Sequence, residues 1–218
     1  MQNAPASRLN QGVLELAPTP LRADHAVIVS MVRDGARVLD VGCSDGALLT
    51  LLTRERGAQS RGLDIDAAAV TSCVAKGLAA VQGDADRDLA LFPDRSYDVV
   101  VFANTLQHLR RPRQALKHAA RIADAVIVSI ANYGHLSARM GLFTGGRFAA
   151  PPHLRARWCD SDIAHPCSVR DLADLARETG LRLECGVPIS GGQSGAPFAK
   201  TLWRANWLAE EVVFLLSA

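Results

Sequence analysis

The stretch that decides the fold is Arg37-Val38-Leu39-Asp40-Val41-Gly42-Cys43-Ser44-Asp45-Gly46. Its apolar, β-branched start reads as a strand and its glycines as a tight turn. Beyond it, Ala47-Leu48-Leu49-Thr50-Leu51-Leu52 has helical spacing. Strand, glycine loop and helix in that order open a nucleotide-type βαβ unit. Gly42 and Gly46 carry no Cβ, so the backbone is free to turn sharply and approach a ligand. The loop is expected to aim helix N-terminal amides at whatever sits above the strand.

The residues around the loop narrow the ligand. Ser44 holds the position that a dinucleotide fingerprint gives to its second glycine, where the backbone meets a pyrophosphate. A side chain there argues against NAD or FAD. Asp40 adds a carboxylate near the crevice, which suits hydroxyls, amines or a sulfonium better than phosphates. Asp64, after Ser60-Arg61-Gly62-Leu63, lies about twenty residues beyond the loop, where an acid grips ribose hydroxyls. Asp84 closes a third strand in Val81-Gln82-Gly83-Asp84. Acids at three consecutive strand ends make a stronger signal than the loop alone.

These residues carry a resemblance. Val38–Gly46, then Gly62-Leu63-Asp64-Ile65-Asp66, then Gln82-Gly83-Asp84-Ala85-Asp86 resemble the successive motifs of class I S-adenosylmethionine-dependent methyltransferases. A narrower likeness to the MetW family runs through Leu21-Arg22-Ala23-Asp24-His25, Phe92–Asp98, Asn104-Thr105-Leu106-Gln107, Asn132-Tyr133-Gly134-His135, Gly145-Gly146-Arg147 and Cys167–Leu172. It extends over residues 21–183 and returns weakly at 206–216. The resemblance implies an S-adenosylmethionine site built from Asp40, Gly42, Cys43, Ser44, Gly46, Asp64, Ile65, Asp84, Ala85 and Asn104. It also implies an antiparallel last strand, a link to methionine biosynthesis, and homoserine O-acyltransferase as a partner.

Composition agrees with an ordinary globule. The 218 residues are 49% hydrophobic and 21% charged. Aromatics are only 5%, so alanine, leucine and valine must fill most of the interior. A net charge of +2 is too balanced for a nucleic-acid surface, and Arg110-Arg111-Pro112-Arg113 reads as a solvated helix entrance. Cys43, Cys73, Cys159, Cys167 and Cys185 are odd in number and form no C-x-x-C pair, so a reducing cytoplasm is expected. Cys159, His165 and Cys167 fit no standard zinc spacing, and no metal is expected. No signal segment or membrane-length apolar run is read.

The chain reads as a loose arm over residues 1–20 and one domain over 21–218. Helices are expected over 24–32, 46–56, 67–76, 112–121 and 169–179. Strands are expected over 37–41, 60–65, 79–82, 97–103, 125–130, 181–187 and 212–216. Alternation predicts an α/β, doubly wound, mostly parallel seven-stranded sheet. The insertion 135–166 and the glycine-rich 190–196 adjoin strand ends, either as lids or as plain surface loops.

Methyl transfer from a sulfonium needs alignment more than a catalytic triad, and alignment alone supplies on the order of 7–11 kcal/mol. If a base is needed, His108 and His135 are the candidates, with His165 a third; surface or capping roles are the alternative. Tyr133, Trp158 and His165 are expected to wall a substrate pocket, unless the aromatics merely pack the core. Cys43 has no neighbouring base and reads as packing rather than a nucleophile. The Asn/Asp-Pro-Pro-Tyr type of motif is absent, which demotes nucleic acid as acceptor and leaves a small molecule. The alternative is an accessory subunit that activates homoserine O-acyltransferase. Ala131-Asn132-Tyr133-Gly134-His135-Leu136 departs from the family's usual Pro-Asn-Phe-Gly-His-Trp, and Ser44 from a common glycine.

Overall fold

The computed structural model describes residues 22–148 and 162–218. The expected arm over 1–20, Trp158 and Cys159 lie outside the described residues. Eight strands form one sheet: β1 (Arg37–Val41), β2 (Gln59–Asp64), β3 (Ala79–Gln82), β4 (Tyr97–Ala103), β5 (Ala123–Ala131), β6 (Arg182–Ser190), β7 (Gln193–Ser194) and β8 (Glu211–Ser217). Their order is β3-β2-β1-β4-β5-β8-β6-β7. The pairs among β1 to β5 are all parallel, whereas β8 runs antiparallel to both β5 and β6.

The central strands are apolar on both faces, as helix-covered parallel strands must be. Along β4, Val99 and Val101 face one layer while Val100 and Phe102 face the other. On the first side lie α1 (Ala23–Met31), through Val27, Ile28, Val29 and Val32, and α2 (Ala47–Arg56), through Leu48 and Leu52. Leu49 of α2 meets Cys73 of α3 (Ala67–Ala75). After the short α4 (Ala85–Asp88), the second side is covered by α5 (Pro112–Ile122), packing Leu116, Ala119 and Ile122. Pro112 occupies the first turn of α5, where a missing N–H costs nothing. The remaining helices are α6 (Leu136–Gly145), α7 (Val169–Glu178) and α8 (Trp203–Leu208). Ser168 caps α7 in a capping box, with Asp171 returning the bond to the Ser168 amide.

The sheet has eight strands, not seven. Gly191 and Gly192 both take positive φ (56° and 74°), and a two-residue turn of that kind folds β7 back onto β6. The stretch expected as a flexible loop thus begins as a hairpin. Part of the expected insertion is the regular helix α6, capped by His135. No helix among the described residues is long and apolar enough to cross a membrane.

Candidate functional site

In a sheet of this order, the succession of strands switches sides between the parallel β1 and β4, and the crevice beyond their carboxyl ends is where ligands bind. A cleft of about 730 Å³ opens there, lined by Asp40, Gly42, Cys43, Ser44, Asp45 and Ala103 from the strand ends and by Arg22 and His25 from α1. Gly42 is held at φ 79°, and a Cβ on it would overlap the Thr105 side chain. Gly46, also at φ 79°, lies against Leu78 and Cys73 with no room for a side chain. Both glycines are required by space as well as by conformation.

Most of the loop amides are engaged inside the protein. Gly42 N donates to Leu63 O at 2.7 Å, Ser44 N to Asp64 Oδ2 at 2.7 Å, Gly46 N to Cys43 O at 2.9 Å, and Ala47 N to Asp45 Oδ1 at 3.2 Å. The Asp64 carboxylate takes the Ser44 amide and, with its other oxygen, accepts from Asp66 N at 2.9 Å, so one side chain ties the β2 tip to the loop. A loop whose amides are engaged internally makes a poor phosphate cradle. Cys43 turns its thiol inward against Gly62, and burial pushes that thiol's pKa far up, so it is no nucleophile.

Asp40 is 1% exposed, and its Oδ1 has no hydrogen-bond partner among the described residues. Burial, reinforced by the charges of Asp64 and Asp24, raises its pKa to about 7 while Arg22 opposes the rise. Asp40 and Asp64 thus sense one another across the strand tips. Asp84 stands at the end of β3, but its carboxylate caps α4 by accepting from Asp86 N at 3.0 Å and pairs with Arg87. Ile65 follows Asp64 with its side chain 68% exposed, and Ala85 packs partly into the core.

A second cavity of about 390 Å³ adjoins the first, sharing Arg22 with it. Asn104, at φ 56°, stands on its wall. Asn104 Nδ2 donates to Glu211 Oε1 at 2.6 Å and to Asp24 Oδ2 at 3.4 Å. Ser129 Oγ donates to Asp24 Oδ2 at 3.2 Å and accepts from Asn104 N at 2.8 Å. Arg22 forks onto both oxygens of the buried Asp24, at 3.0 and 2.6 Å. Burial and the Asp24 charge raise the Glu211 pKa to about 7.

The other predicted residues scatter. His108 lines this second cavity, its Nδ1 within 3.2 Å of Asp162 O. His135 is not on its wall; it caps α6, its Nδ1 accepting from Ser137 N at 3.2 Å. Tyr133 stacks on Phe148 at 5.7 Å in a separate cavity against α6. His165 lines a fourth, with Pro112, Pro166 and Cys167. Of the predicted catalytic and substrate residues that are described, only His108 therefore shares a cavity with Asn104.

The family model described as methionine biosynthesis protein MetW matches residues 22–216. The chain belongs to the MetW family. A bifunctional methionine biosynthesis protein MetXA/MetW of Rhodopirellula baltica is 24% identical over 173 residues, covering 75% of this chain and 28% of that protein. A fatty-acid O-methyltransferase of Mycolicibacterium smegmatis is 36% identical over 92 residues, covering 40% of this chain and 33% of that protein. The chain thus spans a third or less of either relative's length. An S-adenosylmethionine-dependent methyltransferase from Mesorhizobium loti superposes with a TM-score of 0.65 at 15% identity, covering 90% of this chain and 98% of that one. That likeness shows an α/β, Rossmann-like methyltransferase fold.

The MetW-type segments divide between site and scaffold. Arg22, Asp24 and His25 fall on the start of α1 and reach the clefts, although the sequence reading gave them no role. Asn132, fully buried, is scaffold: its Nδ2 donates to the carbonyls of Ala205, Asn206 and Ala209, and its Oδ1 accepts from Gly134 N at 2.9 Å. Glu211 was also missed. An antiparallel strand brings its first residue, not its last, to the edge where parallel strands end.

Proposed function

We propose that this MetW-family protein binds S-adenosylmethionine in the larger cleft and methylates a small molecule held in the smaller one. The observation that carries this reading is Asp40, a buried carboxylate with an oxygen left unpaired at the wall of the cleft. Such an oxygen costs about 1–3 kcal/mol unless a donor reaches it, and a ligand ammonium or hydroxyl is the fitting donor. Internal engagement of the loop amides argues for the same ligand over a dinucleotide.

Bound S-adenosylmethionine would supply an electrophilic methyl group on sulfur. Asp64 would accept from the ribose hydroxyls with the lone pairs its backbone bonds leave over, and exposed Ile65 would cover the base. Asp84 and Ala85 would border that end without touching the ribose, since the Asp84 side chain serves α4. Gly42, Cys43, Ser44 and Gly46 would contribute backbone shape, and Arg22 with His25 would close the α1 side. Asn104, on the wall of the smaller cavity and next in sequence to Ala103 of the larger, would orient the acceptor. His108 is available to take its proton; His135, committed to a helix cap, is set aside.

Calorimetric titration with S-adenosylhomocysteine tests this. Wild-type protein should bind, and Asp64→Ala should weaken binding at least tenfold. Equal affinity in the variant would contradict the role given to Asp64.

One observation favours a second reading. The Rhodopirellula relative joins MetXA and MetW in one chain, which supports an accessory role beside homoserine O-acyltransferase. Met140, Leu142 and Phe143 of α6 and Trp203 and Trp207 of α8 are exposed, and Arg139 lies 4.4 Å over the Trp207 ring, so the two helices present a joint apolar face. Co-purification with the acyltransferase, retained in Asp64→Ala, is the expected sign of that role; loss of the complex in Phe143→Ser would assign the face.

A further inference from the structure

Resting on the reading of the larger cleft as the cofactor site, we propose that the smaller cavity takes a primary or secondary alkylammonium group carried by the methyl acceptor, gripped by Glu211 and Asn104. Three carboxylates, Asp24, Glu210 and Glu211, stand on its wall against one guanidinium, Arg22, and that guanidinium is already spent on Asp24. Glu210 Oε2 is tied to Gly191 N at 3.1 Å. Asn104 gives both of its donor interactions to Glu211 and Asp24, so its amide keeps only an acceptor, Oδ1, for a newcomer. That Oδ1 is buried and has no hydrogen-bond partner among the described residues. Gln107, on the same wall, spends its amide on both main-chain groups of Ala131. What remains unsatisfied is acceptor capacity, so the complementary ligand is a donor with positive charge. Ala23, Ala131 and Ile189 supply apolar walls for its carbon chain.

The groups facing Glu211 are Asp24 and Arg22 from α1, Asn104 after β4, His108 from the 3-10 turn, and its neighbour Glu210. Burial and Asp24 hold the Glu211 carboxyl protonated up to about pH 7. A cation binds the ionised form, so affinity should rise as pH climbs through 7, with a proton released on binding.

Butylamine, butan-1-ol and butyrate, titrated by ligand-observed NMR into protein saturated with S-adenosylhomocysteine, separate the outcomes. The expected result is at least tenfold tighter binding of butylammonium than of the other two at pH 8. That preference should shrink severalfold at pH 6 and fall at least tenfold in Glu211→Gln. Equal binding of butanol, or indifference to Glu211→Gln in a variant that still binds S-adenosylhomocysteine, overturns the proposal. Should butylammonium bind only the unloaded protein, the subsite belongs to the cofactor's own ammonium and the acceptor assignment is wrong. Should S-adenosylhomocysteine not bind at all, the cofactor reading fails first. If Glu211→Gln does not fold, the alcohol comparison and the pH series on wild-type protein still decide.

Discussion

Asp40 shows how one residue can be legible in kind and not in state. Its position two residues before Gly42 marks a carboxylate at the crevice, but whether it is charged depends on burial that no single sequence displays. A lone ionised carboxylate in a dry interior costs so much that the group protonates instead. Here burial, Asp64 and Asp24 lift its pKa to about 7. The sign follows from linkage: the folded state holds the proton between about pH 4 and 7 where the unfolded chain has lost it, so stability falls as pH rises across that window. Asp40→Asn removes the titration. The variant should gain thermal stability over wild type at pH 8, on the order of 1–4 kcal/mol, and match it near pH 4. A constant difference at both pH values, measured by thermal melts of the unliganded protein, would contradict the assignment.

At the scale of elements, parallel strands were easy to place because continuous apolar runs and glycine turns announce them. Val99 to Phe102 needed no tertiary knowledge. The N-terminal helix and β8 were placed as elements, yet their chemistry was invisible: Asp24 and Glu211, 187 positions apart, become neighbours that share the Asn104 amide only once the chain is folded. Asn132 drew notice for a motif beside a candidate base, and it is instead a latch holding β5 to α7 and α8. Asn132→Ala would leave the Ala205, Asn206 and Ala209 carbonyls and the Gly134 amide without that partner. The expected loss is about 3 kcal/mol in urea unfolding, with S-adenosylhomocysteine affinity little changed in the protein that remains folded. A loss under about 0.5 kcal/mol would show that water satisfies these groups equally well.

At the scale of the molecule, strand order and the antiparallel run of β8 place two cavities side by side at the point where the succession of strands switches sides. The fold was legible because alternation of helices and strands leaves few topologies open. The extra β7 escaped because a glycine-rich turn reads equally as loop or hairpin. The assignment of base and pocket was not legible, since Tyr133 and His165 open into different cavities and His135 caps α6.

The tips of β1 and β2 are proposed to hold an adenosyl sulfonium compound, and a crystal structure with S-adenosylhomocysteine is the sharpest test. The ligand should lie in the cleft of about 730 Å³, with its ribose hydroxyls on Asp64 and a donor on the now unpaired Asp40 Oδ1. A ligand seated elsewhere, or an Asp40 oxygen still without a partner once the cleft is filled, would contradict it.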